Sequence, residues 1–356
     1  MEWEITEEYY KGETENFVLT NKVAAFDFDG TIAATKSGKK FPTSEDDWKW
    51  QYDTVPAKIK ELHKQKYTII IVSNQAGFAS GKDNKGMGDK WMQKLDTIIE
   101  QLGIEALVFC STSKNIYRKP LPTFFTEFIP NKLHSASFYC GDAAGRPADF
   151  SDTDRKFALN IPIQFISPET LFLNKQQELP PIEYPIQLNR KKCGQFQCNI
   201  TPANNDMIIM VGYPASGKSS ISTYLKNTHN YTIINQDTLK TFAKCTSEAA
   251  KQMKLNKSII IDATNPTKEV RKKWIDLADI YSYDVQIVVM TTTMEHAMHN
   301  NIYRSITVPD ASRIPDIVYF KYRKVYEAPT DDEGASSIIL QPPNYPDSDG
   351  YFKYLM

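Results

Sequence analysis

Two tracts of alternating apolar runs and amphipathic segments, separated by a proline-rich interruption, constrain the fold of this chain more than any other feature. From residue 23 to about 170 the runs KVAAFDFD, YTIIIVSN, IEALVFC, SASFYCGD and IPIQFIS have strand length and are rich in Val, Ile and Phe, as expected of buried strands. Between them, VPAKIKELHKQK offers Pro56 for a first helical turn, with Ile59 and Leu62 on one face. DKWMQKLDTIIEQLG places Trp91, Leu95, Ile98 and Leu102 at helical spacing and stops at Gly103. A repeated strand, helix, strand rhythm predicts a parallel sheet with helices on both faces. Residues 174–206 break the rhythm with four prolines and scattered polar residues, the composition of a linker. The runs MIIMVG, YTIINQD, KSIIIDATN and VQIVVM then restart it, with helices expected from Lys218, Thr238, Lys268 and Met294.

At 356 residues the chain is long for one core, and the expected organisation is α/β with two doubly wound parallel-sheet domains. The boundaries predicted are a short N-terminal segment 1–20, a first domain 21–173, the linker 174–206, a second domain 207–340 and a C-terminal tail 341–356. The Pro- and Tyr-rich stretch after residue 335 is expected to pack irregularly. Lys+Arg 42 against Asp+Glu 43 argues against a general basic coat for nucleic acid and leaves room for a local groove. The NRKK cluster of the linker reads either as a phosphate-backbone contact or as ordinary solvated charge. Cys110, Cys140, Cys193, Cys198 and Cys245 form no CxxC pair, so free thiols in a reducing compartment are expected. The acidic N-terminus has no apolar stretch of signal length and no later stretch is long enough to span a bilayer, so the class expected is a soluble intracellular enzyme.

In a parallel sheet, functional groups gather at the carboxyl ends of strands. Such ends carry Asp27 and Asp29 in DFDGT, Ser73 in IVSNQAG, Lys119 in YRKP and Asp142 in GDAAGRPADFSDTD. An ionised carboxylate can take a phosphoryl group from a carbon-linked oxygen, giving an acyl phosphate that water hydrolyses. That scheme needs a nucleophile, an acid for the leaving hydroxyl and a cation for the crowded oxygens. Asp27 is the expected nucleophile, and Asp29 the group that protonates the leaving oxygen and then activates water. A hard cation such as Mg²⁺ would take oxygens from Asp27, the backbone carbonyl of Asp29 and Asp142. The hydroxyls of Thr31 and Ser73 and the ammonium of Lys119 would hold the remaining phosphate oxygens. A lone DxDGT is equally a turn with capping aspartates; the ordered set of strand ends turns it into a site.

GYPASGKSS, with Gly212, Tyr213, Pro214, Ala215, Ser216, Gly217, Lys218, Ser219 and Ser220, fits G-x-x-x-x-G-K-[ST] between a strand and a helix. Its backbone N–H groups and the helix N-terminus suit the phosphates of ATP, Lys218 reaches the outer phosphates, and Ser219 can ligate Mg²⁺. A kinase also needs a base or an orienting group near the acceptor hydroxyl. Asp237 in INQDTL is the candidate, with a helix N-cap as its alternative. Asp262 in IIIDATNP is either a metal-side or acceptor-side group or a turn residue before Pro266.

The stretches FDFDGT, SNQAG, RKP and GDAAGRPADFSDTDRKFALN resemble the haloacid dehalogenase superfamily of phosphohydrolases. More closely, they resemble the phosphatase domain of the eukaryotic polynucleotide kinase 3'-phosphatase family. GYPASGKSS, NQDTL, IDATNP, HNNIYR and YRKVYEAPTDDEG look like successive motifs of that family's P-loop 5'-kinase domain, so the resemblance runs from about residue 20 to 340. It implies a haloacid dehalogenase-like 3'-phosphatase followed by a P-loop kinase, with Mg²⁺ as cofactor and ATP as phosphoryl donor. It also implies that Asp237 is the general base on the 5'-hydroxyl and that Arg304 binds the transferring phosphates. The substrates implied are DNA ends with a 3'-phosphate or 5'-hydroxyl, and the products are what a ligase joins. RNA ends, or a small-molecule kinase and phosphatase, are alternatives that the motifs do not separate.

Gln236 stands where the family often has Arg, Met298 and Ile302 stand where lid arginines are expected, and Lys240 is the residue expected to supply charge in their place if its helix faces the cleft. Animal members carry an N-terminal forkhead-associated domain; the short segment before the first strand leaves no room for one, so no phosphopeptide docking is expected. A monomer completes the expectation, nuclear if the source is a cellular eukaryote, with a viral source as an alternative. Trp48, Trp50 and Tyr52 read as a cap that stacks a terminal base or as a packed flap. Gly77, Gly81 and the lysines of QAGFASGKDNKG read as a substrate-side loop or as a solvated turn.

Overall fold

The computed structural model describes the chain except residues 40, 41, 43, 45, 79–84, 131, 183–195, 310, 347–350 and 352–356, and the side chain of residue 85. The NRKK cluster, Cys193 and Gly81 therefore lie outside the described residues. The chain divides into two compact units, residues 1–184 and 185–355.

The first unit contains, in chain order, β1 (Glu2–Ile5), β2 (Tyr9–Glu13), β3 (Val23–Phe26), β4 (Ala33–Ala34), β5 (Lys49–Trp50), α1 (Val55–Lys64), β6 (Thr68–Asn74) and α2 (Lys85–Leu102). It continues with β7 (Ala106–Ser111), α3 (Thr123–Phe128), β8 (Phe138–Cys140), α4 (Thr153–Asn160), β9 (Gln164–Ile166) and α5 (Pro168–Leu173). Its main sheet has the order β1-β2-β7-β6-β3-β8-β9, parallel from β7 to β9. Side chains alternate across a strand, so β3 serves two cores. Ala24 and Phe26 pack with Ile59 of α1 and Leu95 of α2, while Val23 and Ala25 pack with Phe124 of α3 and Phe157 of α4. That double burial is why the strand is apolar throughout.

The segment before the first expected strand is structured: β1 and β2 form a hairpin, and β2 runs antiparallel to β7 at the sheet edge. Its strands are polar and largely open to water on β1, as edge strands are, which hides them from an apolar-run reading. Cys110, Cys140, Cys198 and Cys245 are free thiols. Trp48, Trp50 and Tyr52 belong to the short β4–β5 hairpin region and pack partly buried against the core. Among the described residues, no helix is long and apolar enough to cross a membrane.

The second unit contains β10 (Asp206–Val211), α6 (Lys218–His229), β11 (Thr232–Asn235), α7 (Gln236–Leu239), α8 (Phe242–Lys254) and β12 (Ile259–Asp262). It continues with α9 (Lys268–Ile280), β13 (Asp284–Met290), α10 (Met294–Thr307), α11 (Asp316–Val325) and β14 (Ser337–Gln341). The sheet order is β11-β12-β10-β13-β14, all parallel. Met207 and Ile209 of β10 face α8 and α9, whereas Ile208 and Met210 face α6.

The stretch after residue 335 is not wholly irregular, because SIILQ joins the sheet as β14 beside β13 and buries Gln341 completely. The helix expected from Thr238 is interrupted: Lys240 takes a left-handed φ of 72° and ends α7, and Thr241 caps α8 by accepting from the Lys244 N–H.

Candidate active sites

The first site is built at the carboxyl end of β3. The Asp27 N–H donates to the Cys140 carbonyl at 2.8 Å, fixing that strand end against β8. The DFDGT turn folds back so that the Phe28 carbonyl accepts from Ile32 at 3.0 Å and Ala33 at 3.1 Å. Gly30 sits at φ +83°, and a Cβ there would lie 2.5 Å from Asp142 Oδ2. Only glycine lets the turn and Asp142 approach so closely.

Lys119 is delivered by Asn74 at the end of β6, whose side chain accepts from the Lys119 N–H at 2.9 Å and donates to its carbonyl at 3.1 Å. The Lys119 ammonium donates to Asp27 Oδ1 at 2.6 Å, Asp154 Oδ1 at 2.8 Å and the Tyr139 hydroxyl at 2.7 Å. Tyr139 donates in turn to Asp154 Oδ1 at 3.0 Å, and Asp154 Oδ2 accepts from the Ala143 N–H at 3.1 Å. Burial alone would lower the Lys119 pKa, but the Asp154 and Asp27 carboxylates raise it, so it stays an ammonium.

Asp27, Asp142 and Asp154 each present an oxygen within 4.8 Å of the others. Burial, followed by the charge of Asp154, pushes Asp142 up to about 6. A donor set of carboxylate oxygens carrying more negative charge than Lys119 neutralises fits a hard divalent cation. Thr31 Oγ1 is buried without a hydrogen-bond partner, a hydroxyl available to a phosphate oxygen. Gln75 donates to both Asp29 Oδ2 at 2.7 Å and Ser73 Oγ at 2.9 Å, joining those two residues. Asp29 itself is exposed. Arg146 pairs with Asp149 and Glu169 and donates to the Asp142 carbonyl at 3.1 Å, bracing the loop that carries Asp142.

Asp154, Tyr139, Asn74, Gln75 and Arg146 were not singled out in the sequence. Asp154 lies within GDAAGRPADFSDTDRKF, where a helix-start aspartate reads as a favourable charge at the positive end of α4. The spacing of Asp142 and Asp154 within that one stretch was the available signal.

The second site lies at the carboxyl end of β10. Gly217 at φ +99° and Ala215 at φ +56° turn the loop into the start of α6. Lys218 Nζ donates to the carbonyls of Gly212 at 3.0 Å and Tyr213 at 2.6 Å. Burial lowers the Lys218 pKa to about 8 against the pull of Asp262 and then Asp237, so both carboxylates act on this ammonium. Ser219 and Ser220 are exposed in the first turn of α6. The loop is braced from several sides: Thr292 donates to the Ser216 carbonyl at 2.8 Å, Asn300 donates to the Ala215 carbonyl at 2.9 Å, and the Tyr213 ring lies 4.5 Å from that of Tyr322. Pro214 completes the loop between these braces.

Asn235, not Asp237, caps α7, accepting from the N–H groups of Asp237 at 2.8 Å and Thr238 at 3.2 Å. The same side chain donates to the Asp262 carbonyl at 3.2 Å, tying the Asp237 turn to the end of β12. Asp237 is exposed. Arg304 stands one helical turn beyond Asn300 on α10, and its Nε is buried without a hydrogen-bond partner. Ile302 is buried in the unit. Lys240 lies at the break between α7 and α8, not on a helix.

Together, fold and geometry define a chain with two phosphoryl-handling sites of opposite sense, an aspartate-based one and a phosphate-loop one. A family model described as polynucleotide kinase 3 phosphatase matches residues 22–172, and one described as AAA domain matches residues 240–329. The bifunctional polynucleotide phosphatase/kinase of Schizosaccharomyces pombe is 33% identical over 348 residues, covering 95% of this chain and 84% of its own length. A putative bifunctional polynucleotide phosphatase/kinase of Acanthamoeba polyphaga mimivirus is 33% identical over 389 residues, covering 95% of this chain and 89% of its own. The polynucleotide 3'-phosphatase of Saccharomyces cerevisiae is 28% identical over 207 residues, covering 42% of this chain and 87% of that protein. The chain belongs to the bifunctional polynucleotide phosphatase/kinase family.

Proposed function

We propose that the protein heals broken polynucleotide ends, its first unit removing a terminal 3'-phosphate and its second moving the γ-phosphate of ATP to a 5'-hydroxyl. The observation that carries this reading is the presence in one chain of both sites, Asp27 against Lys119 and Lys218 folded into its phosphate loop at the end of β10. The two activities are opposed in sign but act on different ends of the same break, and their products, a 3'-hydroxyl and a 5'-phosphate, are what a ligase joins. DNA ends are the proposed substrate.

In the first unit an Asp27 oxygen attacks phosphorus and the bond to the 3'-oxygen breaks, with Asp29 giving its proton to that oxygen. Asp29 then takes a proton from water, which attacks the aspartyl phosphate, frees inorganic phosphate and restores Asp27. Thr31, Ser73 and Lys119 hold the phosphate oxygens, and Asp154 with Tyr139 keeps the Lys119 ammonium in place. Asp27, the backbone carbonyl of Asp29 and Asp142 would hold Mg²⁺, which supplies neutralising charge among the phosphate oxygens. In the second unit Asp237 takes the proton of the 5'-hydroxyl as its oxygen attacks the γ-phosphorus and ADP leaves. Lys218, Arg304 and the N–H groups of the loop Gly212–Ser220, in which Pro214 has none, would face the phosphates, and Ser219 would ligate the nucleotide's Mg²⁺.

An oligodeoxynucleotide with a 5'-hydroxyl and a 3'-phosphate, incubated with Mg²⁺ with and without ATP and read by mass at both ends, tests the reading. It predicts loss of the 3'-phosphate in either case and a new 5'-phosphate only with ATP. If neither end changes, a small-metabolite substrate replaces polynucleotide in the proposal.

A further inference from the structure

Helix α2 presents Trp91, Leu95 and Ile98 to the core of the first unit, and Lys94 lies among them, only 6% exposed. Its ammonium stands over the ring of Phe28, 4.7 Å from the centroid, and Phe28 is the residue between Asp27 and Asp29. Among the described residues, no carboxylate lies within 4.0 Å of this ammonium, and it has no hydrogen-bond acceptor. An ammonium seated on a ring, with no carboxylate or hydrogen-bond acceptor, gives up part of its hydration for a cation–π contact alone, so packing by itself does not call for a lysine here. Burial lowers its pKa, and the charges that pull the other way are those of Asp29 first and Asp47 second. Asp47 is engaged by the Ser37 N–H and hydroxyl, both at 2.7 Å, whereas Asp29 is held by Gln75 at Oδ2.

We infer that Lys94 is a positioning residue of the phosphatase site, whose ammonium, seated over the ring of Phe28, orients the carboxylate of the next residue, Asp29. This rests on the phosphatase reading above, with Asp29 as the proton-transferring group. Gln75 fixes one oxygen of Asp29 and the field of Lys94 holds the carboxylate toward the site, so that proton transfer starts from an aligned group. Asp47, in the segment before β5, also acts on this charge.

The test uses the full chain and a 3'-phosphorylated oligodeoxynucleotide, comparing Lys94→Met, which keeps length and packing, with Lys94→Arg, which keeps charge. The inference predicts that Lys94→Met lowers kcat for dephosphorylation about tenfold or more with KM within about twofold, while its melting temperature is equal to or above that of the parent. Lys94→Arg should recover most of the kcat. A Lys94→Met kcat within about twofold of the parent overturns the inference. So does a loss carried by KM alone, which would make Lys94 a substrate contact, or a parallel loss of kcat and melting temperature in both variants, which would make it structural. Asp27→Asn is measured alongside: activity surviving in that variant would sink the phosphatase reading itself, a result distinct from failure of the Lys94 inference.

Discussion

The Asp27 carboxylate and the Lys119 ammonium meet at 2.6 Å at the carboxyl end of β3, both nearly sealed from water. The contact is one edge of a buried set in which Lys119 also serves Asp154 and Tyr139, using all three of its N–H donors. Chemistry and stability are therefore joined in one side chain.

Replacing that lysine by methionine leaves Asp27 and Asp154 buried without a counter-charge. Breaking a buried pair in this way costs about 3–5 kcal/mol. Lys119→Met is expected to destabilise the first unit by that order in urea unfolding and to lower 3'-dephosphorylation about a hundredfold or more. A variant of unchanged stability would show that the ion pair is not formed in solution.

Gly30 tests the close approach of the turn to Asp142. Gly30→Ala puts a Cβ 2.5 Å from Asp142 Oδ2 at a φ of +83°. The strain is on the order of 1–3 kcal/mol, and displacement of Asp142 should cost most of the phosphatase activity while the kinase activity persists. Gly86→Ala, on α2 with nothing within 4 Å, is the matched control and should be neutral or slightly stabilising. Equal effects of the two substitutions on kcat would contradict the geometry.

Lys218 gives the kinase unit a pH signature. Its pKa falls from an unfolded value of about 10.5 to about 8 through burial. Between those values the unfolded chain binds more protons than the folded one, so this group's contribution to stability rises with pH across the window of about 8 to 10.5. ATP phosphates favour the ammonium, so nucleotide binding near pH 8 should take up protons and weaken as pH rises further. Calorimetry of ATP binding in buffers of different ionisation enthalpy reads that uptake; identical heats would contradict it.

Arg271 is fully buried and makes paired 2.7 Å bonds to Glu333, while its third nitrogen donates to the Glu327 carbonyl at 2.9 Å and the Pro266 carbonyl at 3.2 Å. It thus holds the loop that follows Asp262. Arg271→Met should destabilise the second unit by about 3–5 kcal/mol and reduce 5'-phosphorylation. Lys272→Met, next to it in sequence but on an exposed pair with Asp276, should leave both unchanged. Equal effects from the two would remove the buried pair from the account.

Much of this architecture was legible because both sheets are buried on two faces, so β3, β6, β7, β10, β12 and β13 appear as apolar runs whose ends carry the chemistry. DFDGT and GKS stand at those ends, and Ser73 and Asp142 follow from the same rule; Lys119, expected at a strand end, instead lies in the loop after β7 and is brought in by the Asn74 side chain. What was hidden is equally physical. Tyr139 reads as a core aromatic until its hydroxyl is seen between Lys119 and Asp154. Asn74 and Gln75 act through amide groups that no charge pattern reveals. The left-handed turn at Lys240, which splits one expected helix, follows from no rule for lysine. The outer strands β1, β2 and β14 are short or polar, and only pairing makes them strands, β1 with β2, β2 with β7 and β14 with β13.

The central claim is that two independent sites act on opposite ends of one strand, and a single oligonucleotide bearing a 5'-hydroxyl and a 3'-phosphate tests it most directly. It is offered with Mg²⁺ and ATP to Asp27→Asn and to Lys218→Ala, each verified as folded. The account predicts that Asp27→Asn phosphorylates the 5' end and leaves the 3'-phosphate, and that Lys218→Ala removes the 3'-phosphate and leaves the 5'-hydroxyl. Loss of both activities in either folded variant would contradict it.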